Sequence, residues 1–297
     1  MLEYTVIPDV HADARRLEAS LDMAGQGGKI AFLGDFIDAG AGVDDPDDAT
    51  VLGCVRQACE DGTAIAVMGN HELNAILFHR VDGQGSPLRS RDAKNLRQHR
   101  SFCDQFGIGT AAARNWTSWF LRLPLWLDLG GLRLVHAYWS ESAIATISAR
   151  RPDGRLHEAD LEEVSAKQTD FAKAVELLVS GPEIALPGGV TFRDAGGHVR
   201  SDVRVAWWRA EAPTWRDASL SVPDPSELPV GEIGSAIDVE FYEPGAPPVL
   251  VGHYKMAGAP RIEAGQAACL DYPKRPCLYR WSGEATLRQD RLIEVRV

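Results

Sequence analysis

Aspartates, histidines and one asparagine recur through this 297-residue chain in short polar clusters, each placed directly after a run of apolar residues. Asp9 and His11 follow Tyr4-Thr5-Val6-Ile7-Pro8. Asp35 and Asp38 fall in Gly34-Asp35-Phe36-Ile37-Asp38, after residues 29–33. Asn70 and His71 fall in Gly69-Asn70-His71-Glu72, after residues 64–68. His136 follows Leu132-Arg133-Leu134-Val135, and His253 follows Pro248-Val249-Leu250-Val251-Gly252. Carboxylate and amide oxygens mixed with imidazole nitrogens suit manganese, iron or zinc better than calcium. Brought to one crevice, this donor set would make a metal site.

For these side chains to meet, the runs before them must be strands that end side by side. Each run is short and apolar or β-branched, the pattern of a buried strand in a parallel sheet. Open α/β sheets bind their ligands at the carboxyl ends of strands, where all of these residues sit. Residues 13–24, with Leu17, Leu21 and Met23 spaced among charges, read as a crossover helix. Asp44-Asp45-Pro46-Asp47-Asp48 should start a helix over 49–60, because carboxylates suit the positive end of a helix dipole. A helix from Asn70 to about residue 78 would aim its amino end at the same crevice and favour a bound phosphate.

The ordered set D-x-H, G-D-x-x-D, G-N-H-E and two later single histidines resembles the calcineurin-like metallophosphoesterases. Within them it is most similar to the branch of bacterial protein serine/threonine phosphatases and symmetrical diadenosine tetraphosphate hydrolases. The motifs span residues 4–254. The resemblance implies an α/β fold, one domain over residues 1–297 built as a four-layer α/β/β/α sandwich with two facing mixed sheets. It implies two divalent metal ions, manganese first with iron or zinc as alternatives, bridged by Asp35. Asp9, His11 and His253 would complete one metal, Asn70 and His136 the other. His71 would protonate the leaving oxygen, oriented by Asp38. The implied activity is a protein-phosphatase-like hydrolysis of phosphate monoesters or phosphoanhydrides by a metal-activated hydroxide. A dinucleoside polyphosphate (diadenosine tetraphosphate) hydrolase is the narrower alternative, and a non-catalytic metal-binding scaffold is the alternative of another class.

One departure from the family pattern matters. Ala39 stands where the family commonly carries an arginine, and arginine grips phosphate through two parallel hydrogen bonds. Arg91, Lys94, Arg97, Arg114 and Lys255 are the candidate replacements. Arg89, Arg91, Lys94, Arg97 and Arg100 crowd against the single acid Asp92 in a segment that otherwise belongs to an acidic chain. This basic helical insertion, residues 83–130, reads either as a solvated face or as a cap for non-reacting phosphates. His79, His99, His157 and His198 lie outside the motifs and read as ordinary structural histidines, with His99 the least secure.

A net charge of −11 argues against a broad nucleic-acid footprint, since phosphate backbones demand a basic face. The expected partners are a phosphorylated small molecule, a nucleotide or a phosphoprotein. Five cysteines without C-x-x-C spacing suggest reduced thiols. No apolar stretch approaches the ~18 residues that would span a bilayer, and no signal-like segment precedes the first strand, so the cytoplasm is the default. Further expectations are a helix over 92–106 and a second over 157–180. A hairpin over 191–208 should turn at Gly196-Gly197, and residues 211–247 should form a long loop or lid. Tyr138-Trp139 could stack on a nucleobase, although core packing is commoner. Strands over 267–271, 277–281 and 287–295 should complete a second sheet.

Overall fold

The computed structural model describes every residue except 1, 2, 26, 41, 195, 210, 211, 213 and 234–238. The first third alternates strand and helix: β1 (Tyr4–Ile7), α1 (Ala14–Ala24), β2 (Lys29–Phe32), α2 (Asp48–Glu60), β3 (Ala64–Ala66) and α3 (Asn70–His79). Side chains begin the first two helices, Asp13 accepting from the Arg16 amide at 3.0 Å and Asp47 from the Thr50 amide at 2.9 Å. The acidic loop therefore caps α2, as its composition predicts.

Three short helices follow, α4 (Ala93–Gln98), α5 (Arg100–Phe106) and α6 (Ala111–Phe120). The helix expected over 92–106 is broken at His99, whose ring turns into the core rather than along a solvated face. Next come β4 (Trp126–Asp128), β5 (Arg133–Val135), α7 (Glu141–Ser148), α8 (Leu161–Ala166) and α9 (Asp170–Ser180). The expected 157–180 helix is also two helices. Lys167 takes a left-handed conformation at φ 55° and Thr169 starts α9 with a side-chain cap, so the backbone turns between them.

A smaller unit holds β6 (Glu183–Ala185), β7 (Phe192–Arg193), β8 (Val199–Arg200), β9 (Asp202–Val205), α10 (Trp215–Ala218) and β10 (Ser219–Leu220). Strands β7 and β8 pair around the Gly196-Gly197 turn, but β9 leaves that hairpin and pairs with β6 and β10. Leu186, Phe192, Val203, Trp215, Leu228 and Ile233 form its own apolar cluster. The described part of 211–247 is mostly irregular backbone, carrying α10 and β10 and anchored by the buried Trp215, Leu228 and Ile233. Residues 211, 213 and 234–238 of that segment lie outside the described residues.

The chain ends with β11 (Val249–Val251), β12 (Ala267–Cys269), β13 (Cys277–Trp281) and β14 (Leu292–Glu294). One sheet runs β14-β13-β1-β2-β3 and the other β12-β11-β5-β4. Both are mixed: β1, β2 and β3 are mutually parallel with β13 antiparallel to β1, and β5, β11 and β12 are parallel with β4 antiparallel to β5. The tail strands were expected in one second sheet. Instead β12 joins β11 while β13 and β14 extend the first sheet beyond β1.

Alternation along the strands explains the layering. Tyr4, Val6, Ala31 and Leu33 of the first sheet meet Leu134, Leu250 and Ala268 of the second in one buried cluster between the sheets. Ile7, Phe32, Val135, Val249 and Val251 point the other way and pack with the helices in the largest core. This is the helix–sheet–sheet–helix architecture expected of the motif order. All five cysteines are free thiols. Tyr138 and Trp139 are buried, with the Tyr138 ring against Trp207 at 5.3 Å and Trp139 under the Arg133 guanidinium at 4.6 Å. Core packing, not base stacking, accounts for both. No helix among the described residues is long and apolar enough to cross a membrane.

Leu134 is fully buried between the sheets. Truncation to alanine leaves a cavity there and should lower the unfolding free energy by about 2–5 kcal/mol in urea titration, without moving a residue of the polar clusters.

Candidate metal centre

Strands β1, β2 and β3 of one sheet and β5 and β11 of the other all end at the same place. Their exits carry Asp9 and His11, Asp35, Asn70 (the first residue of α3), His136 and His253. The polar residues therefore converge from two sheets, not from one parallel sheet. The strand exits are contorted. His11, Ala12, Asp35, Asp38, His253 and Lys255 all take positive φ, between 48° and 71°. Side-chain-bearing residues persist there only when their surroundings over-determine the conformation.

Glu72 supplies much of that determination. Its buried carboxylate accepts the backbone N–H of Asp35 at 2.8 Å, of Phe36 at 2.8 Å and of Gly69 at 2.9 Å. It ties the end of β2 to the start of α3, and Asp35 Oδ1 then accepts the His71 amide at 3.0 Å. The two loops press so closely that a Cβ on Gly69 would stand 2.2 Å from Asp35 Oδ1. At the other sheet the Asp9 carboxylate accepts the His253 amide at 3.0 Å, and a Cβ on Gly252 would stand 1.9 Å from Asp9 Oδ1. Glu72 was visible inside the G-N-H-E motif, but nothing in the sequence said that it bonds three amides.

The donor atoms fit divalent metal ions. His11 donates Nδ1–H to the Ile37 carbonyl at 3.2 Å, which leaves Nε2 buried with no hydrogen-bond partner. His136 donates Nδ1–H to the Leu33 carbonyl at 2.7 Å, so its Nε2 faces Asn70 Oδ1 at 3.0 Å and Asp35 Oδ2 at 3.3 Å. Backbone carbonyls fix both tautomers in the way that metal-binding imidazoles require. His253 places Nδ1 2.8 Å from Asn70 Oδ1, and its Nε2 is also buried without a partner. Two donor groups result, His11, Asp35 and His71 in one and Asp35, His136 and His253 in the other. Asp35 belongs to both. His253 was expected beside His11, yet its ring lies with Asn70 and His136 because the chain beyond β11 turns left-handed at His253.

Electrostatics also call for cations. Burial, followed by Asp271 and Asp35, pushes the Asp9 carboxyl well above the usual carboxylate range. Burial holds the His11 imidazole down to about 4, with His71 adding to the effect. Burial also opposes ionisation of Asp35, but His136 and His71 outweigh it and hold that carboxyl well below its ordinary value. Buried charges of this density are costly unless paired with opposite charge. Asp271, fully buried, keeps Oδ1 without a partner while Oδ2 accepts the Lys255 amide at 3.0 Å.

His71 donates Nδ1–H to Asp38 Oδ2 at 2.8 Å and turns Nε2 toward Asp35 Oδ2 at 3.8 Å. Burial opposes the imidazolium, but Asp35 and then the Asp38 hydrogen bond raise it to about 9. Two histidines that read as structural continue from Asp38. His99 Nδ1 is 2.6 Å from Asp38 Oδ1, and His99 Nε2 is 3.0 Å from His79 Nε2. Ser101 Oγ receives the Ala39 amide at 3.1 Å, and Asp48 receives the Asp38 amide at 3.0 Å.

The candidate phosphate-binding cations divide. Lys94, Arg97 and Arg114 are exposed and make no ion pair or hydrogen bond to the cluster among the described residues. Arg91 donates to the Phe78 carbonyl at 3.0 Å and lies over the Phe78 ring, so its guanidinium is already engaged. Arg89, left out of the sequence-derived candidates, bonds Asn74 one turn beyond Asn70, as well as Asn95 and Gln98. Lys255 lines a cavity of about 620 Å³ together with Arg204, Arg209, Arg216, Arg261 and Lys274. Of these cations Arg204 pairs Glu183 at 3.3 Å, and Arg209 and Arg261 pair Glu263 at 2.6 and 2.7 Å, while the lining Asp194 is paired by Arg200 at 2.7 Å. Sequence spacing alone cannot assemble cations drawn from residues 204–274.

Two outcomes follow from this geometry. Gly252→Ala should displace Asp9 and reduce bound manganese per chain by about one equivalent, measured by elemental analysis, because the close approach leaves no room for Cβ. Burial, with His99, Arg91 and Arg80 alongside, holds His79 down to about 3 from 6.5. The folded chain then refuses a proton that the unfolded chain accepts, so this stabilisation is complete above 6.5 and is lost as pH falls toward 3. Denaturant midpoints measured from about pH 7 down to about pH 4 should fall less steeply in His79→Gln than in the wild-type chain.

The sequence model of the family described as calcineurin-like phosphoesterase matches residues 2–181. A cold-active protein-tyrosine phosphatase of a psychrophilic Shewanella species superposes with a TM-score of 0.54 at 14% identity, over 100% of this chain and 81% of that one. A candidate diadenosine tetraphosphatase aligns at 14% identity over 99% and 94% of the two chains with a TM-score of 0.45. A protein serine/threonine phosphatase from Saccharomyces cerevisiae aligns at 12% identity over 99% and 78%, with a TM-score of 0.44. Among curated proteins there is no match to the chain.

Proposed function

The chain belongs to the calcineurin-like phosphoesterases, hydrolases of phosphoesters that use a dinuclear divalent metal centre, and we propose that it cleaves phosphate monoesters or phosphoanhydrides at the cluster around Asp35. The observation that carries this reading is the pairing of one shared carboxylate with a positioned acid. Asp35 belongs to both donor groups, and His71, hydrogen-bonded to Asp38 at 2.8 Å, faces it.

In this reading Asp9, His11 and Asp35 would hold one metal ion, and Asp35, Asn70, His136 and His253 would hold the other. Bound metal supplies the nucleophile from water and offsets charge on the phosphoryl oxygens. Manganese is the preferred pair, with iron or zinc as alternatives, since the mixed nitrogen and oxygen donors suit all three. The chain's own residues then handle the proton. Asp38 keeps His71 in the tautomer whose Nε2 faces the crevice, and its carboxylate favours the protonated imidazole. From there His71 donates to the leaving oxygen. The amino end of α3 adds its dipole to the phosphate side of the crevice.

Ala39 leaves the usual arginine contact unmade, and Lys255 is the candidate cation best placed to answer for it. Its charge reaches His11, and it opens onto the basic cavity. That cavity supports a second, narrower reading, a dinucleoside polyphosphate hydrolase, because Lys255, Lys274 and Arg216, which form no ion pair among the described residues, suit phosphates beyond the one that reacts. A phosphoprotein substrate needs no such cavity.

Manganese-loaded protein should release phosphate or nucleotide from diadenosine tetraphosphate or from a phosphothreonine peptide, with Asp35→Asn as the inactive blank. Preference for the peptide removes the narrower reading, and turnover of neither substrate with two metals bound removes the broader one. His71→Asn should keep both metals yet lose ~10²–10⁴-fold in kcat, the contribution of a positioned acid.

A further inference from the structure

Asp38 must aim one carboxylate oxygen at His71, and its own surroundings decide whether it can. Its backbone is left-handed at φ 65°. The Asp38 amide is held by Asp48 and the next amide, Ala39, by Ser101. The carboxylate oxygen that does not face His71 is 2.6 Å from His99 Nδ1. Both Ser101 and His99 come from the segment whose exposed side chains made it look like a phosphate cap. Its buried side chains instead grip the residue that orients the acid.

The direction of these hydrogen bonds can be deduced from one end. The Gly109 amide is 3.1 Å from His79 Nδ1, and a backbone N–H can only donate. His79 Nδ1 is therefore an acceptor, and the proton of the neutral ring is on Nε2. That proton points at His99 Nε2, 3.0 Å away, which must accept. His99 then carries its proton on Nδ1 and donates it to Asp38 Oδ1. Asp38 Oδ2 is left to accept from His71. One backbone amide thus sets two tautomers and the polarity of the whole chain.

His79, His99 and Cys103 also lie close enough to suggest a third metal site. The same logic argues against it. A metal on His79 Nε2 would need a proton on Nδ1, where the Gly109 N–H already points. The rings are also locked by packing: His99 stacks on Phe102 at 4.8 Å and 17°, and Phe78 meets it edge-on at 5.1 Å.

We propose that His99, with its tautomer set by His79 and the Gly109 amide, is a positioning residue for the acid of the reaction, holding Asp38 so that its second oxygen orients His71. This rests on the reading of His71 as the acid. It assigns the inserted segment of α4 and α5 a role in proton donation rather than in phosphate binding.

The test exploits leaving groups. p-Nitrophenol departs with little help from an acid, whereas phenol needs it. In His99→Leu, kcat for phenyl phosphate should fall about 10- to 100-fold, part of the ~10²–10⁴ that a positioned acid supplies, while kcat for p-nitrophenyl phosphate changes less than about threefold. KM for both should be unchanged. His99→Asn, whose side-chain N–H takes the place of Nδ1–H, should recover most of the loss. Adding His99→Leu to His71→Asn should cost nothing more. Equal losses on both substrates, no recovery in His99→Asn, or additive losses in the double variant would overturn the proposal. A second measurement needs no variant. Long-range nitrogen–proton correlation spectra of the zinc-loaded wild-type protein should show His79 protonated on Nε2 and His99 on Nδ1. Any other tautomer, or a zinc-bound ring at either position, refutes it. Failure of the wild-type protein to hydrolyse either aryl phosphate would instead count against the reading of His71 as the acid, whatever the spectra show.

Discussion

The Glu72 carboxylate holds the site together. Three backbone amides from two loops donate to it, and those loops carry Asp35 on one side and Asn70 and His71 on the other. Hydrogen bonds in a buried, low-dielectric setting are stronger than in water, and a broken one leaves an unsatisfied buried group. That strength offsets a left-handed aspartate and a glycine contact too close for any other residue. Without this tie the end of β2 and the start of α3 would separate, and Asp35 would no longer face both donor groups.

Around that tie the protein concentrates charge that it does not neutralise itself. Asp9, Asp35 and Asp271 are buried together, and two imidazole nitrogens are left without partners. The carbonyls of Ile37 and Leu33 have already chosen the tautomers of His11 and His136. Backbone carbonyls, rather than the donors themselves, thus fix how these two rings present Nε2. The same crowding raises His71 and depresses Asp35, opposite shifts of the kind that separate acid and acceptor roles.

The segment between α3 and β4 shows how composition can mislead about role. Its arginines and lysines drew attention because the rest of the chain is acidic. Lys94 and Arg97 are exposed, and Arg91 is spent on a backbone carbonyl and an aromatic face. The segment's specific contribution is made by His99 and Ser101, which break one expected helix into two and turn inward to Asp38. Cations with access to a cavity come from elsewhere, from β9, α10 and the loops around Lys255 and Lys274.

What the sequence determined by itself was local. A hydrophobic run that ends in a polar cluster is a strand with its functional residue at the exit, and that logic identified β1, β2, β3, β5 and β11 with the residues they deliver. The period of each run and the short reach of each motif are properties of consecutive residues, so they are legible without a fold. What only the tertiary structure decided was partnership between distant parts. The strands divide between two sheets, β13 and β14 return to β1, and His253 sits beside Asn70 instead of His11. The Asp35 and Phe36 amides on Glu72 and the chain from Gly109 through His79 and His99 to Asp38 link residues 20 to 61 positions apart. No periodicity encodes such contacts, because they depend on where the chain folds back and on which buried polar group is left to be satisfied.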